Sequence, residues 1–227
     1  MKILAIGDPH GKLPKKIDRI IKKNKIDVIV CVGDIPMIPK DPHIQQNWRG
    51  FRVRANRSFR ELARKLCSYE VPFLTLRGNM YRSERGDRIT KKIFTKYKNL
   101  YYKETGKIKV KGKTFLFFDM SFEPHMVRRE HDKKFFKSVP LREAKLNRFL
   151  RENKNAVLIS HAPPYNCLDK IPSGKHIGSK VLLRAIKKYQ PKLVLCGHIH
   201  EAKGEAKIGK TKVINLGCCG DYKLIEV

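Results

Sequence analysis

The chain has 227 residues, enough for one large domain or two small ones, and sets 51 Lys and Arg against 21 Asp and Glu for a formal net charge of +30. That excess differs from the paired Lys and Glu enrichment of heat-adapted ion-pair networks, and self-repulsion on this scale asks for a polyanionic partner, with RNA or DNA the leading expectation. No run approaches the roughly 18 apolar residues of a membrane span, Met1-Lys2 leads straight into a strand rather than a signal peptide, and six cysteines without Cys-x-x-Cys spacing read as reduced thiols, so a cytoplasmic protein is expected.

The first apolar run, Ile3-Leu4-Ala5-Ile6, ends at Gly7-Asp8-Pro9-His10. Leu13, Ile17, Ile20 and Ile21 then recur at helical spacing, which predicts a helix over 13–24. Val28 to Val32 reads as the next strand and ends at Gly33-Asp34, giving a βαβ opening. Residues 35–48 carry Pro36, Pro39 and Pro42 and read as a loop over the strand ends. A second helix follows, with Phe51, Ala55, Phe59, Leu62, Ala63 and Leu66 as its buried stripe. It also carries Arg49, Arg52, Arg54, Arg57, Arg60 and Arg64, which form either a solvated face or a set of phosphate contacts. Phe73 to Leu76 ends at Gly78-Asn79, and Arg82, Arg85, Arg88, Lys91 and Lys92 follow along a further helix. Arg82 and Arg85 stand nearest to Asn79 and are the candidates there for substrate contact.

Residues 100–119 read as strands joined by a turn, and 120–139 has no clear period. Leu146, Phe149 and Leu150 predict a helix before a strand that ends at His161. Val181, Leu182, Ala185, Ile186 and Tyr189 predict another, with Ser179 as its N-cap. Leu193 to Cys196 ends at Gly197-His198-Ile199-His200, and short strands at 205–208, 212–216 and 223–227 close the chain. No repeat or linker divides it, so one domain over 1–227 is expected, with candidate cap or lid segments at 35–48, 80–99 and 120–139.

Asp8, His10, Asp34, Asn79, His161, His198 and His200 all sit just past apolar runs. In an α/β sheet the carboxyl ends of the strands share one edge, where ligands bind, so these seven side chains are candidates for a single site. Carboxylate, carboxamide and imidazole donors together suit Mn²⁺, Fe²⁺, Co²⁺, Ni²⁺ or Zn²⁺. Seven ligands exceed what one catalytic ion takes, and a carboxylate can bridge two ions about 3.5–4 Å apart. His43, His125, His131 and His176 are read first as structural or surface histidines.

In order and approximate spacing, Gly7-Asp8-x-His10-Gly11, Gly33-Asp34, Gly78-Asn79, His161 and Gly197-His198-x-His200 resemble the motifs of the calcineurin-like metallophosphoesterases. The tail Val213-Ile214-Asn215-Leu216-Gly217 is similar to that family's closing strand and turn. The resemblance implies an α/β fold of two mixed β-sheets face to face with helices outside, a four-layer αββα sandwich. It also implies two divalent ions, manganese favoured and iron, nickel, cobalt or zinc the alternatives. Asp8, His10 and His200 would hold the first, Asn79, His161 and His198 the second, with Asp34 bridging and Asp34, Asn79 and His161 counted as catalytic. The implied reaction is hydrolysis of a phosphoester P–O bond by a metal-bridging hydroxide, without a covalent intermediate.

One position departs from the family's pattern. Many members place a histidine after the Gly-Asn pair, where this chain has Met80, and the thioether neither protonates a leaving group nor steadies added charge. The resemblance therefore points to the phosphodiesterase branch, on nucleotide or nucleic-acid substrates, with His125 or His176 as candidates for the missing histidine and His176 counted as a substrate contact. A protein scaffold on the same fold would have lost ligands, and none of the seven is lost. An RNA- or ribosome-associated basic binding protein would show steep salt dependence and no need for metal.

Overall fold

The computed structural model describes residues 1–38, 48–79, 84–119 and 138–227. Along the chain run β1 (Lys2–Ile6), α1 (Ile17–Asn24), β2 (Val28–Cys31), α2 (Trp48–Cys67), β3 (Phe73–Thr75), α3 (Glu84–Phe94) and β4 (Leu100–Tyr102). The second half holds β5 (Thr105–Val110), β6 (Lys113–Phe118), α4 (Val139–Glu152), β7 (Val157–Ser160), α5 (Lys180–Tyr189), β8 (Leu193–Cys196), β9 (Gly204–Ile208), β10 (Thr211–Asn215) and β11 (Tyr222–Glu226).

Two mixed sheets result. The first is ordered β11-β1-β2-β3-β4, parallel except where β11 runs antiparallel to β1. The second is ordered β5-β6-β7-β8-β10-β9, with a parallel centre of β6, β7, β8 and β10 between antiparallel edges. The central strands β2, β7 and β8 are buried at every residue, as parallel strands covered on both faces must be, whereas edge strands β9 and β11 alternate with exposed positions.

Three apolar clusters fill the three gaps between four layers. Ile3, Val30, Leu74, Phe115, Phe117, Ile159 and Leu195 pack sheet against sheet. Leu4, Ile29 and Phe73 point the other way, onto Ile17, Phe59, Leu66 and Phe94 of α1, α2 and α3. Leu116, Leu158 and Val194 meet Leu146 and Leu150 of α4 and Leu182 and Ile186 of α5. Truncating one fully buried side chain such as Phe115 to Ala would cost about 3–5 kcal/mol. The αββα expectation is borne out.

Differences from the sequence reading are local. The first helix starts at Ile17 rather than 13, because Pro14 precedes it and Lys16 is left-handed (φ 59°), a backbone state that no helix continues through. Ser179 caps α5 as expected, its Oγ accepting the Leu182 N–H at 3.1 Å. Residues 100–119 hold strands joined by a turn as expected, β5 pairing with β6 across Lys111-Gly112, but β4 closes the first sheet and β5 opens the second, so the chain changes layers between Tyr102 and Thr105. Within the candidate lid 80–99, residues 84–94 form α3, whose Ile93 and Phe94 join the core. The lid segments at 39–47, 80–83 and 120–137 lie outside the described residues, as do His43, Met80, Arg82, His125 and His131. No helix among the described residues is long and apolar enough to cross a membrane.

Candidate metal centre

All seven sequence-predicted ligands meet at the carboxyl edge of the strands, between the two sheets. Hydrogen bonds between the loops hold them there. His10 N–H donates to Asp34 O at 3.0 Å, Asp34 N–H to Arg77 O at 3.0 Å, Gly197 N–H to His161 O at 3.0 Å and Asp8 N–H to Gly217 O at 3.0 Å. Each loop thus sets the height of its neighbour.

The backbone is bent to aim the side chains. His10, Asp34 and His198 have φ of 45°, 45° and 68°, a left-handed state that costs L residues energy and collects at functional sites. Gly78 stands at φ +81°, and a Cβ there would lie 2.3 Å from Asp34 Oδ1. At Gly197 a Cβ would lie 2.7 Å from Asp8 Oδ1. The two carboxylates therefore sit in contact with backbone that only glycine keeps open.

The donor atoms form two groups. His10 Nε2 lies 3.2 Å from His200 Nε2, which lies 3.2 Å from Asp8 Oδ2. Asn79 Oδ1 lies 2.8 Å from His161 Nε2 and 3.0 Å from His198 Nδ1. Asp34 Oδ2 lies 3.4 Å from His161 Nε2 and brings the second group toward Asp8. Ligand atoms of Asp8, His10 and His200, and likewise of Asp8, Asp34 and His161, all fall within 4.8 Å of one another.

This arrangement fits divalent cations on its own chemistry. Asp8 and Asp34 are buried side by side, and Asp8 Oδ1 has no hydrogen bond although it is shielded from water. Buried carboxylates so placed need positive charge nearby. His161 makes the same point. Its Nδ1–H donates to Val32 O at 2.9 Å, which leaves Nε2 facing the oxygens of Asn79 and Asp34. Burial alone would lower its pKa, but the carboxylates of Asp34 and Asp8 outweigh burial and push it up to about 9. A lone pair surrounded by oxygens takes up a proton or a metal ion. In the other group burial lowers the pKa of His10, while the hydrogen bond from His200 to Asp8 raises that of His200.

Cys31 lies among these loops, its Sγ 3.4 Å from Gly33 O, and burial pushes the thiol up to about 12. His176 belongs to neither donor group. Its Nδ1 meets the buried Asp169 Oδ1 at 2.6 Å, and Asp169 Oδ2 accepts the N–H groups of Asn166 and Gly178. Arg85 lies in the first turn of α3, with its side chain outside the described residues.

Sequence reasoning missed the support behind Asn79. Arg77, two residues earlier and nearly buried, pairs with Glu104 at 3.7 Å, and Glu104 also pairs with Arg142 of α4. The Arg77 N–H donates to the buried Asp119 at 3.3 Å. A charged residue directly after the apolar run 73–76 was the available signal.

The calcineurin-like phosphoesterase family model matches residues 1–202. An uncharacterized protein of Methanocaldococcus jannaschii is 29% identical over 227 residues, which are 95% of this chain and 87% of that protein. Metallophosphoesterase domain-containing protein 1 of Homo sapiens is 37% identical over 65 residues, only 28% of this chain and 20% of that protein. Among solved structures, a dimetal phosphatase from Danio rerio superposes with a TM-score of 0.69 at 12% identity, over 99% of this chain and 91% of that one. A second solved structure, from Thermus thermophilus, gives 0.61 at 15% identity, over 99% and 93%. Identities this low carry the fold alone, but a family match across residues 1–202, together with the five motifs, is decisive: the chain belongs to the calcineurin-like phosphoesterase family.

Proposed function

We propose that the protein is a dinuclear metal-dependent phosphodiesterase. The observation that carries this reading is the convergence of seven donors in two groups that meet at Asp34. Asp8, His10 and His200 would hold one ion, Asn79, His161 and His198 the other, and Asp34 both. When bound, two such ions polarise a phosphoryl oxygen, neutralise the charge that gathers in the transition state and acidify water at neutral pH. The family resemblance favours Mn²⁺, and the nitrogen and oxygen donor set also suits Fe²⁺, Ni²⁺, Co²⁺ or Zn²⁺.

The chain's own residues do the positioning. The Val32 carbonyl fixes the His161 tautomer with Nε2 toward the site, and the His198 N–H holds Asp8 Oδ2 at 2.6 Å. Diesters are the favoured substrates because Met80, after Gly78-Asn79, supplies neither an acid nor a second positive charge for a monoester dianion. The net charge of +30 favours nucleotide or nucleic-acid substrates, with Arg82, Arg85 and His176 as candidate contacts. Six free cysteines fit a reducing, cytoplasmic setting.

The test is a panel of metals against bis-p-nitrophenyl phosphate, p-nitrophenyl phosphate, cyclic nucleotides and short RNA and DNA. Diester turnover should exceed monoester turnover, and Met80→His should move the ratio toward monoesters. A wild-type preference for monoesters that the substitution leaves in place would overturn the diesterase assignment. The charge alone favours a second reading, an RNA- or ribosome-associated binding protein, which predicts tight RNA binding and no turnover with any metal.

A further inference from the structure

Between α2 and α3, on the outer face of the first sheet, runs a furrow of about 780 Å³. Its walls are Arg57, Arg60 and Arg64 from α2 and Lys92 and Lys96 at and beyond the end of α3. On α2 the three arginines follow i, i+3, i+7 spacing, which puts them on one helix face. Glu61, the single acid of the furrow, is occupied by Arg57 at 2.9 Å. Arg60, Arg64, Lys92 and Lys96 have no carboxylate partner among the described residues.

The floor differs from the walls. Val53, Ile89 and Tyr97 line it together with the buried core residue Ile93; Ile89 and Tyr97 are partly buried, and Val53 is 68% exposed although it is apolar and helical. From Val53 to Arg64 the furrow extends about 17 Å along α2, at 1.5 Å per residue. Its Val53 end lies toward the N-terminus of α2. The helices follow β2 and β3, whose ends carry Asp34 and Asn79, and the Met37 N–H donates to Ser58 Oγ, next to Arg57, at 3.0 Å.

We infer that this furrow binds single-stranded nucleic acid, basic walls to the phosphates and apolar floor to the bases. The inference rests on the diesterase reading for the fate of the bound strand, since it gives that site a polynucleotide substrate. An unpaired strand offers anionic backbone and apolar base faces together, which is what the furrow can receive. A duplex hides its bases and would leave Val53 uncovered. A second copy of this chain is disfavoured by repulsion between two molecules of net charge +30.

Fluorescence anisotropy in EDTA tests the binding apart from any hydrolysis. The probes are a labelled uridine 20-mer, a duplex of equal length, and polyphosphate as a competitor without bases. Arg60→Glu with Arg64→Glu should weaken uridine 20-mer binding at least about tenfold, and should lower the salt slope by about 1.4, at 0.7 per phosphate contact. Lys109→Glu with Lys207→Glu, exposed on the edge strands β5 and β9, changes net charge equally and should cost less than about threefold. Val53→Ser should weaken the 20-mer and leave the inhibition constant of polyphosphate unchanged. If the arginine variant fails to fold by circular dichroism, Lys92→Glu with Lys96→Glu tests the opposite wall.

Equal losses in the two arginine and lysine pairs, tighter binding of the duplex, or displacement of the 20-mer by an acidic amphipathic peptide at equal concentration would each overturn the inference. Wild-type hydrolysis of bis-p-nitrophenyl phosphate with Mn²⁺ is scored separately. Its absence with the binding pattern intact removes the diesterase reading and leaves the furrow; its presence without that pattern does the reverse.

Discussion

The backbone N–H of His198 donates to Asp8 Oδ2 at 2.6 Å, across 190 residues of chain. This bond ties the first strand of one sheet to a central strand of the other. It also orients the Asp8 carboxylate, leaving Oδ1 without a hydrogen bond in a site shielded from water. Charge-assisted bonds of this kind are stronger than neutral ones, so the two sheets meet at the site through more than apolar packing.

Asp34→Asn should reduce metal content and diester turnover together, because one charge is removed from both donor groups. Wild-type protein should gain about 2.7 kcal/mol of stability at Mn²⁺ one hundred times its dissociation constant, and the variant distinctly less. Elemental analysis after dialysis and thermal melts with and without Mn²⁺ measure both effects. Full occupancy with normal turnover would show that Asp34 is not shared.

Gly78→Ala should act through Asp34 rather than through folding alone. The added methyl meets Asp34 Oδ1 at 2.3 Å and sits at a left-handed φ of +81°. Displacing a ligand's support typically costs about 10–100-fold in metal affinity or activity. Metal titration of the folded variant reads the effect; an unchanged affinity would mean that the loop absorbs the methyl.

Glu104 should make stability depend on acid pH. Burial would raise its pKa, but the guanidinium groups of Arg142 and Arg77 outweigh burial and hold it below its ordinary 4.5. A depressed folded pKa contributes stability that is present above the unfolded value and lost as pH falls through the folded one. Wild-type stability should therefore fall below pH 4.5, and Glu104→Gln should flatten that fall while costing about 1–2 kcal/mol at neutral pH. Urea melts from pH 3 to pH 7 decide it, and parallel curves for the two proteins would remove Glu104 from the account.

Thiol labelling should sort the cysteines by burial. Cys219 is exposed, whereas Cys31 and Cys196 are fully buried and burial raises both, Cys31 to about 12. Cys219 should react promptly with an aromatic disulfide at pH 8, and Cys31 and Cys196 only on unfolding. Mass spectrometry of labelled peptides identifies the sites. Early labelling of Cys31 would indicate opening of the loops that carry Asp8 and Asp34.

The seven donors were legible in the sequence because each lies just past a short apolar run that reads as a buried strand, and strand ends share an edge. Ser179 as a cap and the apolar stripes of α2 and α5 were legible for the same reason: they depend on residues within one or two turns. The layer change between Tyr102 and Thr105 was not, since a short strand carries no mark of which sheet will accept its hydrogen bonds.

By itself the sequence determined which side chains stand at strand ends and what chemistry their mixture suits. Tertiary structure set His10 3.2 Å from His200 and Asn79 between His161 and His198, the groupings the family resemblance implied, and it alone decided that Arg77 and Arg142 converge on Glu104. It also decided that Arg60 and Lys92, on helices separated by a strand, line one furrow. The physical reason is the range of the forces: periodicity and capping act between near neighbours along the chain, while these contacts form only when two sheets and their helices pack across apolar cores.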